Sequence, residues 1–399
     1  MLWAQNEELS KNVENLAVGC CIIRVFATCL DNSLDGRRRG VNRSAMELTS
    51  CNTMKSDRDL DSRRQPHDPL PATHSVRGLT VGETLTMDIA DSFSNSTGTI
   101  DLMHHQRDRY IACCVFDCKQ EIALLDPGPS STLRNLLQHL NRMGIGISDV
   151  GAILLSHIHF DHAGVTGSLI ELNPKIRVYV HERGAAHLID PRRLLRSASQ
   201  VLGSNIEDFW GPFQAVPSRN LNVLNGGEEI TLGARRFQVL YTPGHAPHHV
   251  SYFEPDSKVA FVGDAAGIRI SDSFVCPATP PPDIDVEQID ESLSLIEAWK
   301  PQRLFLTHFG LVGNVEWHMT EFRERLRSWS EFVRLSLERH EDDLHRAQEF
   351  SEMVAAQVAS CASPQEGIWF EQLVSFRKNW YGLARYWRRQ RGSRGAFRS

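Results

Sequence analysis

The stretch Ser156-His157-Ile158-His159-Phe160-Asp161-His162-Ala163-Gly164 packs three histidines and an aspartate into the positions from His157 to His162. It follows directly on the apolar run Ala152-Ile153-Leu154-Leu155. Imidazole nitrogens and a carboxylate are borderline-hard ligands suited to zinc, and also to iron or manganese. The apolar run reads as a buried strand, and at a strand exit a rigid element hands over to a loop that can expose side chains. In an extended segment His157 and His159 point the same way, Asp161 continues the alternation, and His162 faces the other side. Four such ligands on one metal leave no open position for chemistry. Divided between two adjacent metals they do, but each ion then needs partners from elsewhere in the chain.

Three other apolar runs end in the required residue types. Leu240-Tyr241-Thr242-Pro243-Gly244-His245 presents a histidine after a Pro-Gly turn, Ala260-Phe261-Val262-Gly263-Asp264 ends in an aspartate, and Leu304-Phe305-Leu306-Thr307-His308 ends in a histidine. A lone histidine is usually a satisfied core or surface residue, the reading given to His139, His318, His340 and His345. The ordered set of strand exits is a different kind of pattern. In His245-Ala246-Pro247-His248-His249 the crowding makes His248 and His249 candidates for supporting the ligands or facing a substrate. His181 and Glu182 end a further strand near the same rim, and His187 follows them.

HIHFDH, TPGH, GDAAG and the late THFG together resemble the metallo-β-lactamase-fold hydrolase superfamily, in its glyoxalase-II-like branch, over about Asp101 to Gly313. The resemblance implies that His157, His159 and His245 hold a first metal, that Asp161, His162 and His308 hold a second, and that Asp264 bridges them. It implies two divalent ions, zinc first, with iron or manganese as alternatives. Asp126-Pro127-Gly128 matches the family's early Asp-Gly element, which supports the site loops. The implied activity is a dinuclear metal-dependent hydrolase whose bridging hydroxide attacks an ester, thioester or lactone carbonyl, with Asp161 orienting the nucleophile and taking its proton. The alternative within the superfamily is a mononuclear iron persulfide dioxygenase. A phosphodiesterase or nuclease is less favoured, because the catalytic part is acidic and no large insertion interrupts the motifs. No Gly-x-Ser-x-Gly elbow argues for a serine nucleophile.

The elements that must position these residues read as follows. Strands are expected at 110–116, 121–125, 152–155 and 176–180, with a helix at 131–143. A second half repeats the outline, with strands at 237–241, 250–253, 259–262 and 304–306 and a helix at 285–299. Two similar halves with helices outside the sheets predict an α/β four-layer αββα sandwich. Phe322, Leu326, Trp329, Val333 and Leu337 recur at helical spacing beyond Asn314, and a shorter helical piece at 370–387 follows the break at Ser363-Pro364. The expected division is an N-terminal extension at 1–98, a catalytic domain at 99–320 and a C-terminal helical region at 321–399. The helical region carries an aromatic-basic face that includes Trp380, Arg385 and Tyr386, a candidate wall of the substrate entrance.

Composition bounds the rest. Of 399 residues, 41% are hydrophobic and 23% charged, enough to bury a sizeable core. A net charge of -6 argues against nucleic acid as the main partner and leaves a small-molecule substrate. Asp31 to Ser75 is polar and unpatterned and reads as disordered. The run Leu16 to Leu30 is too short for a membrane span and is interrupted by Arg24. Nine cysteines without paired spacing suggest reduced thiols and a cytoplasmic protein; the oligomeric state is left open.

Overall fold

A computed structural model of the chain describes residues 96–202, 206–269 and 272–396. The expected extension thus lies outside the described residues except for its last three, two of which already belong to the first strand. Strands β1 (Thr97–Asp101), β2 (Ala112–Asp117), β3 (Ile122–Leu125), β4 (Val150–Leu154), β5 (Arg177–His181) and β6 (Leu221–Leu224) form one sheet in sequence order. The other sheet runs β12-β11-β10-β9-β8-β7, from β7 (Glu229–Leu232), β8 (Arg235–Tyr241), β9 (Val250–Glu254), β10 (Val259–Gly263), β11 (Arg303–Leu306) and β12 (Gly310–Val312).

Period-two alternation builds the layers. Ala112, Cys114 and Phe116 of β2 face the second sheet, whereas Cys113 and Val115 face outward to helices. On the other sheet, Val259 and Phe261 of β10 turn inward and Ala260 and Val262 outward. Because both faces of the central strands are covered, they read as continuous apolar runs. Between the sheets, Phe116 packs edge-on to Phe237 at 5.1 Å and to Phe261 at 5.0 Å.

Outside the first sheet lie α1 (Leu133–Arg142), α2 (Phe160–Ala163), α3 (Thr166–Leu172), α4 (Glu182–Ile189), α5 (Arg192–Leu202) and α6 (Ile206–Trp210). Outside the second lie α7 (Val286–Ala298), α8 (Val315–Ser336), α9 (Asp343–Cys361), α10 (Pro364–Val374) and α11 (Phe376–Ala396). The architecture is the αββα sandwich expected. Asp285 and Asn314 cap α7 and α8 by accepting from the N–H groups of Gln288 and Trp317. Helix α8 runs unbroken through position 320, and its Phe322, Leu326 and Trp329 share one core with Leu304 and Leu306 of β11. The helical piece expected at 370–387 is two helices separated at Ser375, whose φ is 50°. Strand β6 gave little signal because its burial is mostly partial, as expected of a sheet edge. No helix among the described residues is long and apolar enough to cross a membrane.

Candidate metal centre

Topology brings the strand exits together. Strands β3 and β4 are parallel, with Leu125 opposite Leu154, so Asp126 and Leu155-Ser156-His157 leave the first sheet side by side. Strands β10 and β11 are parallel too, and β8 is related to β10 by two antiparallel steps through β9. Their exits, carrying His245, Asp264 and His308, therefore share one edge of the second sheet, the carboxyl-end position where α/β sheets place ligands. A bulge between Phe261 and Gly263 re-aims the chain just before Asp264. Gly263 has φ 48°, and a Cβ there would strike Ser156 and His249, so the approach requires glycine.

The expected alternation stops at His159. His162 and Ala163 N–H groups both bond the His159 carbonyl, so Asp161 and His162 stand on the short helical turn α2 and not on extended chain. The turn brings Asp161 to His308, while the His162 ring lies between the two, 4.0 Å from that of His157 and 5.3 Å from that of His308.

The donor atoms of the seven residues fall into overlapping groups, with His157-His162-Asp264 linking two trios. His157 Nε2 lies 2.9 Å from His159 Nδ1, which lies 3.2 Å from His245 Nε2. Asp161 Oδ2 lies 3.4 Å from His308 Nε2 and 3.8 Å from His162 Nε2. Each trio, His157-His159-His245 and Asp161-His162-His308, has ligand atoms within 4.8 Å of one another. Asp264 stands between them: Oδ2 is 3.4 Å from His245 Nε2, while Oδ1 is 3.4 Å from His162 Nε2 and 3.6 Å from His308 Nε2. All seven residues singled out in the sequence converge, and all but His159 and Asp161 are buried.

The donor set fits divalent ions. His162 Nε2 and Asp264 Oδ1 are buried without a hydrogen-bond partner, an arrangement costing about 1–3 kcal/mol per group unless something else satisfies them. Three of the histidines have Nδ1 engaged behind the cluster: His245 Nδ1 donates to the Ala278 carbonyl at 2.9 Å and His308 Nδ1 to the Tyr110 carbonyl at 2.6 Å. His162 Nδ1 donates to Asp126 Oδ2 at 2.8 Å. Each such bond leaves Nε2 as the unprotonated ligand nitrogen. Burial, with repulsion from neighbouring imidazoles, holds His157 well below the ordinary histidine range and His159 down to about 3, so both are in the neutral, ligating form. Around the second trio burial also opposes charge, but Asp264 and Asp161 outweigh it and raise His162 and His308. The buried carboxylates thus favour positive charge at this trio, which a divalent cation would supply.

Asp126 underlies both groups. It accepts from the Ser156 N–H (2.8 Å), the Ser156 hydroxyl (2.6 Å), the Thr307 hydroxyl (2.7 Å) and His162. Burial alone would raise its carboxyl, but His162 and these donors hold it below the usual range. Its φ of 47° is unusual for a non-glycine residue and belongs to this over-determined corner. Ser156, Thr307 and the Tyr110 and Ala278 carbonyls were not singled out in the sequence. Ser156 and Thr307 directly precede His157 and His308, which is the one local signal they carry.

The other candidates take separate places. His249 accepts the Asp264 N–H at Nε2 (3.3 Å) and meets the Thr242 hydroxyl at Nδ1 (2.9 Å). His248 has its ring 5.6 Å from that of His159, and its buried Nδ1 has no partner. His181 caps α4 by accepting the Arg183 N–H and stacks on Tyr241 at 4.4 Å. His318 is core, bonded to the Ala266 carbonyl. Trp380 and Tyr386 are buried and donate to the Ser336 hydroxyl and the Glu287 carboxylate, and Arg385 donates to the Pro282 carbonyl at 2.9 Å.

Residues 111–308 match the metallo-β-lactamase superfamily. Among curated relatives, a metallo-β-lactamase fold-containing protein of Sulfurisphaera tokodaii is 34% identical over 164 residues, 40% of this chain and 61% of its own. A hydroxyacylglutathione hydrolase of Haemophilus influenzae is 27% identical over 150 residues, 38% and 63% respectively. The match thus spans less than two thirds of each of these two relatives. A metallo-β-lactamase family protein of Thermus thermophilus superposes with a TM-score of 0.55 at 20% identity, over 70% of this chain and 89% of its own, and shares the fold. With these histidines and aspartates leaving β4, β8, β10 and β11 in that order, the domain at residues 111–308 belongs to the metallo-β-lactamase superfamily.

Proposed function

We propose that the protein is a dinuclear metal-dependent hydrolase acting on an ester, thioester or lactone carbonyl of a small molecule. The observation that carries this reading is Asp264, whose two carboxylate oxygens face different ligand trios. His157, His159 and His245 would hold one divalent ion and Asp161, His162 and His308 the other, with zinc the best match to this N/O set. Such a pair supplies Lewis acidity and a water ionisable near neutral pH.

The chain's own residues do the rest. Asp161 is the more open carboxylate of the centre, with 21% of its side chain exposed against 6% for Asp264. It orients the attacking water and takes its proton on a carboxylate oxygen. His248 is assigned to the substrate, because its Nδ1 is uncommitted beside the first trio. Both nitrogens of His249 are engaged, so its part is to hold the Asp264 backbone. A thioester is favoured among acyl substrates, since relatives bear the name hydroxyacylglutathione hydrolase and such a compound is a thioester. The described cysteines are all free thiols, which suits a reducing, cytoplasmic setting.

The test is a panel of thioester, ester, lactone, phosphodiester and persulfide substrates on protein loaded with zinc or iron. Acyl hydrolysis that disappears with chelator is expected. Turnover of the persulfide with one iron per chain, or of the phosphodiester alone, would overturn the reading.

A further inference from the structure

Asn379, on α11, is fully buried and distant in sequence from every ligand. Its Oδ1 accepts twice from Thr279, from the backbone N–H at 2.8 Å and from the hydroxyl at 3.0 Å. One residue earlier, the Ala278 carbonyl is the acceptor that orients His245. A backbone carbonyl can fix a ligand's ring direction only if it is itself fixed. The segment carrying Ala278 belongs to no strand: it leaves an isolated bridge between Ile268 and Cys276 and next meets a cap at Asp285.

Helix α11 holds that segment at several points. A Cβ on Gly382 would collide with the Thr279 carbonyl and Pro280, so the helix backbone lies directly against the loop. Arg385 and Arg389 donate to the Pro282 and Ile284 carbonyls at 2.9 and 2.6 Å. The Asn379 bond is the one adjacent to Ala278, and both its partners are excluded from water.

We propose that Asn379 is a positioning residue for His245, so that the C-terminal helix sets metal affinity at the first trio. His245 must hold a metal for this to act, as proposed above; which bond the enzyme hydrolyses does not enter. Partners behind a metal ligand typically change affinity by about 10–100-fold, and for one acting through a neighbouring carbonyl the lower end, about tenfold, is expected.

The experiment is a zinc titration of the full-length metal-free chain against a chromophoric chelator, with melting temperatures measured before and after loading. Asn379→Ala should weaken one of two ions about tenfold, leave the other unchanged and shrink the metal-induced rise in melting temperature. Asn379→Asp keeps the accepting oxygen and gives up an Nδ2 that has no partner, so it should restore affinity. Thr279→Val keeps the N–H bond alone and should fall between, and it carries the test should Asn379→Ala not fold. Trp387→Phe, on the same helix as Asn379, loses a bond to Ser330 of α8 and should lower the metal-free melting temperature without touching the increment. Equal affinity in parent, Asn379→Ala and Thr279→Val would overturn the coupling, as would a Trp387→Phe loss as large as that of Asn379→Ala. A parent that binds no zinc would instead overturn the proposed metal centre, and this coupling with it.

Discussion

The first sheet delivers His157, His159, Asp161 and His162 from the single exit of β4, whereas the second delivers His245, Asp264 and His308 from three exits. In the first case geometry is local: one helical turn bonded to the His159 carbonyl splits the four donors between two groups. In the second it is tertiary. It depends on the register of β10 against β11, on the bulge before Asp264 and on bonds that cross between sheets, such as His308 to the Tyr110 carbonyl and Thr307 to Asp126. Neither set closes a site by itself, since each trio takes its third member from across the sandwich. Packing of the two sheets is therefore a condition for the proposed metal binding.

The sharpest way to break the symmetry between the trios is Asp264→Ala, which removes the residue facing both. Both ions should dialyse away, and turnover should fall by more than the ~100-fold that loss of a supporting partner can cost; metal content and kcat/KM after dialysis check this. Next is Asp126→Ala, which removes the buried acceptor shared by the Ser156 N–H, the Ser156 and Thr307 hydroxyls and His162 Nδ1. Denaturant unfolding of the metal-free chain should show a loss of about 3–5 kcal/mol, with the ligand residues themselves intact. Thr307→Val removes one cross-sheet donor from the same carboxylate and should cost ~1 kcal/mol by the same measurement. Arg385→Ala is the smallest: an exposed bond to Pro282 outside the trios is expected to change stability by about 0.5 kcal/mol, with KM unchanged. A rise in KM at constant stability would instead place Arg385 at the substrate.

The same contrast explains what could be read in the chain. The β4 exit was legible because its donors are contiguous, those of β10 and β11 because each follows an apolar run buried on both faces, and that of β8 because a Pro-Gly turn stands before His245. Core strands were legible from their apolar runs, and helix α8 from Phe322, Leu326, Trp329 and Val333 at helical spacing. The turn at Asp161 was not, because side-chain alternation extrapolates extended chain into a segment that a single helical turn interrupts. Edge strand β6 was missed because its partly exposed residues carry little pattern, and β12 because three residues are too few to show one. The Tyr110 and Ala278 carbonyls could not be found at all: backbone acceptors have no residue type, and only the tertiary fold aims them.

The most direct test of the shared centre is metal stoichiometry by elemental analysis of the parent, His245→Ala and His308→Ala chains, purified without chelator. Two ions per parent chain and about one in each variant are predicted, the retained ion differing between the two variants. A parent without transition metal, or variants that both keep two ions, would contradict a centre built from both sheets around Asp264.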